Sequence, residues 1–200
     1  MQPGKRGRLE FGLLTVCLMV AMPAGSVLAQ PVATAENMVN QLAGLEATAD
    51  LDVAALRQQV LDRVKSKADA VALKRPPVSG LLRKLPRLNL DIQFNPDSPV
   101  IRPDSYRMLG RIADALYDPR LLPFGFLIVG NTESTGKRED NLTLSQRRAE
   151  SIRYVLVTTF KVSPKRIQAV GLGEEQLLDA EHPKAAVNQQ IQIVTVRKGP

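Results

Sequence analysis

Cysteine is almost absent from this chain of 200 residues, because Cys17 is the only one. It lies inside an apolar run that we interpret as a removable leader, so the remaining chain has no thiol. Disulfides, cysteine catalysis and cysteine-ligated zinc are therefore excluded from that remainder. Histidine is as scarce, since His182 stands alone in a polar segment beside Pro183. One such residue cannot build a histidine triad or a metal cluster.

Aromatic residues are few and tryptophan is missing, which argues against a stacking groove for sugars or for single-stranded nucleic acid. No two acids share an apolar setting of the kind that prepares a carboxyl group for general acid catalysis. Gly171 and Gly173 lack the glycine-rich turn from strand to helix of a phosphate loop, and we expect them to serve a turn with positive φ. The sequence thus predicts no enzyme, no cofactor, no metal site and no nucleic-acid partner.

The first thirty residues have the pattern of a secretory signal. A basic start at residues 5–8 precedes an apolar run from Phe11 to Met22, and Val27-Leu28-Ala29 follows it. We predict a signal peptide at residues 1–29, with cleavage after Ala29 and export to the periplasm.

An alternative stays open, in which the apolar run is an uncleaved inner-membrane anchor. Pro23 and Gly25 interrupt the run and leave it short for a span. Val16 precedes Cys17, where a lipoprotein signal needs a small residue, so lipidation is not expected. The leader carries three basic residues and one acid, so its removal lowers the net charge from +7 to +5. This basic balance suits the anionic cell wall or lipid heads, and ordinary solvation explains it equally well.

Residues 30–87 are predicted to form a helical N-terminal region and a linker. Helical spacing relates Met38, Leu42 and Leu45, and Asp52 is a candidate N-cap for a second helix. The apolar stripe of this second helix contains Val53, Leu56, Val60, Val64 and Val71. The helices can pack on each other, on the following domain or on a second copy, which leaves a homodimer open. Basic residues and prolines then predict a stiffened linker and not a packed element: they are Lys74, Arg75, Arg83, Lys84 and Arg87, with Pro76, Pro77 and Pro86.

Residues 88–200 are predicted to fold as one domain. Alternation from Leu88 to Phe94 indicates a half-buried strand, and the apolar run 124–129 indicates a buried one. Further strands are expected near residues 167–172 and 191–196. One helix is expected to bury a face made of Leu109, Ile112, Ala113 and Leu116. A second helix, which Asn141 caps or precedes, is expected to bury Ala149, Ile152, Leu156 and Phe160. This order predicts an α+β two-layer sandwich, βαβαββ, with the helices on one face of the sheet.

A charged pair flanks the loop after the central strand. Gly130-Asn131-Thr132-Glu133 ends the strand, and Asn141-Leu142-Thr143-Leu144-Ser145-Gln146-Arg147-Arg148-Ala149 opens the helix. Across the loop, Glu133 could take an ammonium group and Arg148 a carboxylate, so that the pair would hold a zwitterion. The alternative is a surface ion pair that contributes little to stability. Arg147 points roughly 100° away around the helix and is expected to face solvent.

These letters resemble the OmpA-like peptidoglycan-binding domain, the family of OmpA, Pal and MotB C-terminal domains. Its usual text is Gly-His-Thr-Asp, then Asn-x-x-Leu-Ser-x-x-Arg-Ala. The resemblance covers residues 88–196 and includes Phe94-Asn95-Pro96-Asp97-Ser98, Gly171-Leu172-Gly173-Glu174 and Asn188-Gln189-Gln190-Ile191. It implies peptidoglycan as the partner, in the cell envelope of a Gram-negative bacterium, at the cell wall or outer membrane. In that family the acid and the arginine grip the diaminopimelate of the peptide stem.

The same resemblance supplies the candidate ligand residues. Glu133 and Arg148 are the principal pair, Thr132 adds a hydroxyl bond and Asn141 braces the loop. Asp97 is either part of the ligand rim or a residue resembling a helix cap.

The chain departs from the family text at this ligand-binding end. Glu133 stands where the family has aspartate, Asn131 where it has histidine, and Gln189 and Gln190 where it has two arginines. One hypothesis is non-covalent peptidoglycan binding that stabilises the envelope, together with outer-membrane or envelope proteins. The other is a protein-interaction or scaffold module that kept the fold and lost this ligand. A further alternative is that the longer Glu133 folds back onto Arg148 as an internal salt bridge.

Overall fold

The computed structural model describes Met1 and residues 34–44, 51–66 and 76–197. The predicted leader with its cleavage site lies outside the described residues, and so do Leu45, Val71, Lys74 and Arg75. Within the described ranges, no helix combines the length and the apolar character needed to cross a membrane.

The helices and strands follow the order βαβαββ after two N-terminal helices, α1 (Ala35–Leu42) and α2 (Val53–Lys65). The domain consists of β1 (Arg87–Leu90), α3 (Tyr106–Leu116), β2 (Phe124–Asn131), α4 (Arg138–Thr158), β3 (Ile167–Gly173) and β4 (Ile191–Arg197). Its strands form one sheet in the order β1-β4-β2-β3. Strands β2 and β3 are parallel, and β4 runs antiparallel to β1 and β2. The predicted α+β sandwich is confirmed.

The predicted faces of α3 and α4 pack on one side of the sheet. Leu116 of α3 and Ile152 and Leu156 of α4 are fully buried there. The strands contribute Phe126, Ile128, Ile167 and Ile193 to the same cluster. Phe160 follows the end of α4 and packs against this core while half-buried. Apolar residues three and four positions apart face one side of a helix, which is why the sequence located these faces.

The opposite face of the sheet is covered by α2 and by the segment before β1. Val53, Leu56 and Val60 of α2 lie in a second cluster with Val129 and Val194 of the sheet. Val78, Leu82 and Leu85 are buried in the same cluster. The prediction of an unpacked linker is therefore wrong for the described residues 76–87. The physical reason is that a sheet with apolar side chains on both faces needs cover on both, and these residues extend the layer that α2 begins.

Helix α1 packs on the first core, beside α3 and β1. Met38, Val39 and Leu42 are almost fully buried, and the Thr195 hydroxyl donates to the carbonyl of Leu42 at 2.8 Å. Of the alternatives left open by the sequence, packing on the domain is the one observed for both helices. The described residues of the two apolar stripes are thus covered by the chain's own domain.

Helix α4 approaches the sheet more closely than side chains would allow. A Cβ on Gly171 would collide with the backbone nitrogen of Gln146, and one on Gly130 would collide with the carbonyl oxygen of Ser145. Gly173 has φ +54, so the predicted positive φ is confirmed there. For Gly171 the prediction is wrong, because close approach of the helix and not a left-handed backbone requires the glycine.

Two element boundaries differ from the sequence expectation. Strand β1 ends at Leu90, and Phe94 instead forms an isolated antiparallel bridge with Ile101. Helix α4 begins at Arg138, so Asn141 lies in its first turn and neither caps nor precedes it. Glu139 and Asp140 also lie in this first turn, where carboxylates stabilise the positive end of the helix dipole.

Candidate functional site

A cleft of about 550 Å³ opens where β2 ends and α4 begins. Four of the predicted site residues line it: Asp97, Thr132, Glu133 and Asn141. The loop between β2 and α4 and the exposed side of α4 supply further lining residues, Thr135, Lys137, Asp140, Thr143 and Arg147. The cleft thus brings together the end of β2, the start of α4 and the corner after Phe94. The resemblance to the family sequence led us to expect this arrangement.

Arg148 does not line this cleft but lies behind its wall. It is among the lining residues of a smaller neighbouring cavity of about 100 Å³, with Phe94 and Asn131. Gln189 lines both cavities and marks where they meet. The sequence therefore located Arg148 at the correct end of the sheet and missed its depth.

The guanidinium of Arg148 is held by the corner that precedes α3. Arg148 is buried, with only 4% of its surface exposed. Nε donates to the carbonyl of Ser98 at 3.1 Å, and the guanidinium carbon lies 5.0 Å from the ring centroid of Phe94. Burial lowers the pKa of Arg148, and the carboxylates of Asp97 and Glu133 oppose that effect. An arginine stays charged under such conditions, so the site keeps a partly desolvated positive charge.

Glu133 and Arg148 form no ion pair within 4.0 Å, although both belong to the described chain. Glu133 is half-buried at the cleft. The alternative in which Glu133 folds back onto Arg148 as a salt bridge is therefore not the observed arrangement. The carboxylate and the guanidinium remain separate charges at one end of the sheet.

Asn141 braces the loop that carries Glu133, as predicted. Its buried Nδ2 donates to the carbonyl of Glu133 at 3.3 Å and to Oε2 of Glu174 at 2.8 Å. Asp97 is exposed at the rim with φ +48. A left-handed backbone is tolerated by aspartate better than by most residues, which places its carboxylate at this corner.

Three buried side-chain atoms in the described part of the chain have no hydrogen-bond partner: Asn131 Oδ1, Thr132 Oγ1 and Arg148 Nη1. All three belong to this end of the sheet. Leaving a buried polar group unpaired costs about 1–3 kcal/mol. Such groups are uncommon in folded proteins, and each of them needs a partner such as water, an ion or a polar ligand.

Sequence reasoning missed two sets of buried contacts near the cleft, which hold the start of α4 and the loop before Gln189. Arg138 donates to both carboxylate oxygens of buried Glu175, from Nε at 2.8 Å and from Nη2 at 2.7 Å. Asn188, fully buried, donates to the carbonyls of Asp179 and His182 at 2.9 Å and so fixes the loop before Gln189. The available signals were the acid after the Gly-x-Gly-Glu turn and the asparagine that opens the last motif.

The sequence predicts no metal site, and His182 is the single histidine that could have contributed to one. His182 is exposed and its Nδ1 lies 2.9 Å from Oδ2 of Asp179. The described ranges contain no group of three or more His, Cys, Asp or Glu side chains placed to hold a metal ion.

Comparison with known proteins gives one family match. The model described as "OmpA family" matches residues 93–190. Outer membrane porin F of Pseudomonas fluorescens is 35% identical over 108 residues, which are 53% of this chain and 32% of the relative. Peptidoglycan-associated lipoprotein of Brucella melitensis is 32% identical over 108 residues, 54% of this chain and 62% of that relative.

Among solved structures, the crystal structure of the peptidoglycan-associated lipoprotein from Burkholderia pseudomallei is 30% identical, with a TM-score of 0.44. The alignment covers 52% of this chain and 86% of that structure. The chain spans about a third of the length of the porin F relatives that it matches.

Proposed function

We propose, from the premise that the chain carries a domain of the OmpA family at residues 93–190, that it binds peptidoglycan non-covalently at the start of α4. The ligand would occupy the cleft and reach Arg148 through the smaller cavity that meets it at Gln189. Binding would attach the protein to the cell wall and stabilise the envelope, with no bond made or broken. The names of two relatives, peptidoglycan-associated lipoprotein and outer membrane porin F, support this class of role.

In the proposed complex, a diaminopimelate-type stem presents a carboxylate to Arg148 and an ammonium group to Glu133. Nη1 of Arg148 is buried and unpaired in the described chain, so a carboxylate would complete its hydrogen bonding. Glu133 is half-buried and carries no ion pair to Arg148, so it is free to take a cation. Asp97, at the exposed rim, adds a second acidic charge on the ammonium side.

The observation that carries the proposal is the cluster of unpaired buried atoms. Thr132 Oγ1 and Asn131 Oδ1 lie in consecutive residues, and Arg148 shares the smaller cavity with Asn131. A ligand with several donors and acceptors could form hydrogen bonds with all three atoms. The described part of the protein itself offers none of them a hydrogen-bond partner. Asn141 bonds to Glu174 and to the carbonyl of Glu133, so the Glu133 loop is preorganised before a ligand binds.

The proposed location is the periplasm, reached through the signal peptide at residues 1–29, with the protein held at the cell wall or outer membrane. The inner-membrane anchor is the alternative. Fractionation followed by intact mass measurement tests both. A mature chain that begins at Gln30 and is recovered in the soluble periplasmic fraction supports the proposal, and a full-length chain in the membrane fraction supports the anchor.

Co-sedimentation with purified diaminopimelate-type sacculi tests the binding itself. We expect the wild-type chain to sediment and Arg148→Ala to remain in solution. This variant should stay folded, with a lowered melting temperature because it loses a buried side chain and its bond to Ser98. Arg107→Ala is the matched control, because it removes the same charge from the exposed side of α3. Equal sedimentation of wild type and Arg148→Ala would show that the proposed binding site is wrong. No sedimentation of wild type would favour the interaction-module hypothesis, to which Gln189 and Gln190 already point.

A further inference from the structure

A second groove, of about 480 Å³, adjoins the cleft between α3 and α4. Tyr106 at the start of α3 and Tyr154 in the second half of α4 line it. They expose 42% and 67% of their surface. The whole chain contains three tyrosines, so two of them are gathered here despite the general scarcity of aromatic residues. Apolar surface gathered into one exposed patch is typical of an interaction site, whereas single exposed rings are ordinary.

The groove and the cleft are neighbours that share part of their lining. Pro99 and Arg147 line both of them. Arg147 is exposed on α4, one position before the buried Arg148, so its side chain separates the two spaces at the surface. A ligand long enough to pass Arg147 would occupy both.

The chemistry of the groove combines aromatic rings with charged and hydroxyl side chains. Glu150 and Ser151 lie in the same stretch of α4, between Arg147 and Tyr154, and both line the groove. A pyranose ring matches this combination, because its C–H face packs on an aromatic ring and its hydroxyl groups bond to carboxylate, guanidinium and hydroxyl groups. Tyrosine is suited to such a surface, since it provides a large rigid contact at small cost in conformational entropy.

The scarcity of aromatic residues argued against a stacking groove for sugars, but the fold gathers two of the three tyrosines at one place. We infer that this groove is a saccharide site that binds the glycan strand of peptidoglycan next to the stem peptide. The inference rests on the proposed function of the cleft and extends it to a second part of the same polymer. In peptidoglycan only a short peptide separates the diaminopimelate from the sugar that carries it. A stem seated in the cleft therefore holds its sugar near the cleft's edge, where Arg147 leads to the two tyrosines.

The structure also predicts the energetic form of the effect. Once the stem is bound, contact with the glycan is intramolecular, so each weak sugar contact adds to affinity without a new cost of association. The tyrosines should therefore matter for a ligand that contains both parts and not for the stem alone.

Two soluble probes separate these contributions. One is the free stem tetrapeptide, and the other is the same tetrapeptide attached to the N-acetylglucosamine–N-acetylmuramic acid disaccharide. We expect calorimetry on the wild-type chain to show at least about tenfold tighter binding of the disaccharide probe. The double variant Tyr106→Ala, Tyr154→Ala should bind both probes equally, at the wild-type affinity for the free peptide. Tyr154→Phe should keep the gain, because the ring face is retained.

Tyr117→Ala is the matched control, since Tyr117 is exposed at the end of α3 and bonds to the carbonyl of Phe160 outside the groove. It should leave the ratio of the two affinities unchanged. Equal wild-type affinity for both probes, or an undiminished gain in the double variant, overturns the saccharide site while leaving the cleft intact. Failure of wild type to bind either probe overturns the cleft as well. Binding that responds to the tyrosines but not to Arg148→Ala overturns the proposed role of Arg148.

Discussion

Arg138 and Glu175 join the first residue of α4 to the turn after β3 through two parallel hydrogen bonds, of 2.8 Å and 2.7 Å. The Glu175 side chain is almost fully buried, while the Arg138 side chain is slightly exposed. Hydrogen bonding to Glu175 raises the pKa of Arg138. The bidentate pair fixes the start of α4 to the turn after β3.

Arg138→Ala should therefore destabilise the domain by about 3 kcal/mol, because it leaves a buried carboxylate without its bidentate partner. Urea unfolding followed by circular dichroism measures the change. Arg107→Ala, from the exposed side of α3, should change the free energy of unfolding by only a few tenths of a kcal/mol. Equal stability of both variants would show that Glu175 is satisfied by its other neighbours.

Gly171→Ala should cost about 2–3 kcal/mol, because the new Cβ meets the α4 backbone and the helix must shift away from the sheet. Gly80→Ala is the matched control, since a Cβ on Gly80 meets nothing within 4 Å. Chemical unfolding of the two variants should separate them clearly. A Gly171→Ala protein as stable as Gly80→Ala would mean that α4 does not approach β3 as described.

Ile152→Asp should prevent folding, because it places a charge at a fully buried position against the sheet. The loss is expected to exceed about 4 kcal/mol. Arg147→Ala, on the exposed side of the same helix, should be nearly neutral for folding. Thermal melts of the two proteins check the helical register, and equal melting temperatures would contradict it.

The fold could be predicted because its signals are local and periodic. Leu109, Ile112 and Leu116 mark a helix face without reference to what covers it. The layer made by Val78, Leu82 and Leu85 could not be predicted, because these residues stand among prolines and basic side chains. Their burial depends on the sheet face opposite α3 and α4, which becomes visible only after the strands are assembled.

The candidate site was predictable in the same uneven way. The spacing of Glu133 and Arg148 brings them to one end of the sheet once a strand and a helix are joined by a loop. The depth of Arg148 was not predictable, because it is set by Ser98 and Phe94, fifty or more positions earlier in the chain. The groove between Tyr106 and Tyr154 likewise appears only when α3 and α4 are side by side.

Acid should loosen the docking of α1. Arg120 lies 2.8 Å from Oε2 of Glu36 in α1 and 2.9 Å from Oδ1 of Asp118. Its hydrogen bonds lower the pKa of Asp118 to about 2 and lower the pKa of Glu36 below its usual value. Because both folded-state pKa values are depressed, the stabilisation is present above the unfolded values near 4 and is lost as the pH falls through the folded ones.

We expect hydrogen exchange in α1 to accelerate between about pH 4 and pH 2 relative to exchange in α4. Arg120→Ala should flatten this difference, because neither carboxylate then has its cation. Glu36 and Arg120 are substantially exposed to water and Asp118 is partly exposed, so the change should be modest. An identical acid profile in wild type and Arg120→Ala would contradict the role of this contact.

Glu133→Asp tests whether the altered acid is compatible with the ligand. Glu133 makes no salt bridge to Arg148, so shortening its side chain releases no internal partner. If Glu133 takes the ammonium group of the stem, the aspartate should hold or raise the affinity for the free tetrapeptide. Glu133→Gln keeps the length and removes the charge, and should weaken binding by about 1.5–3 kcal/mol, which is roughly ten- to a hundredfold. Calorimetry with the three proteins separates the effect of the carboxylate charge at position 133 from the effect of side-chain length. Equal affinities of wild type and Glu133→Gln would show that Glu133 does not take the ammonium group.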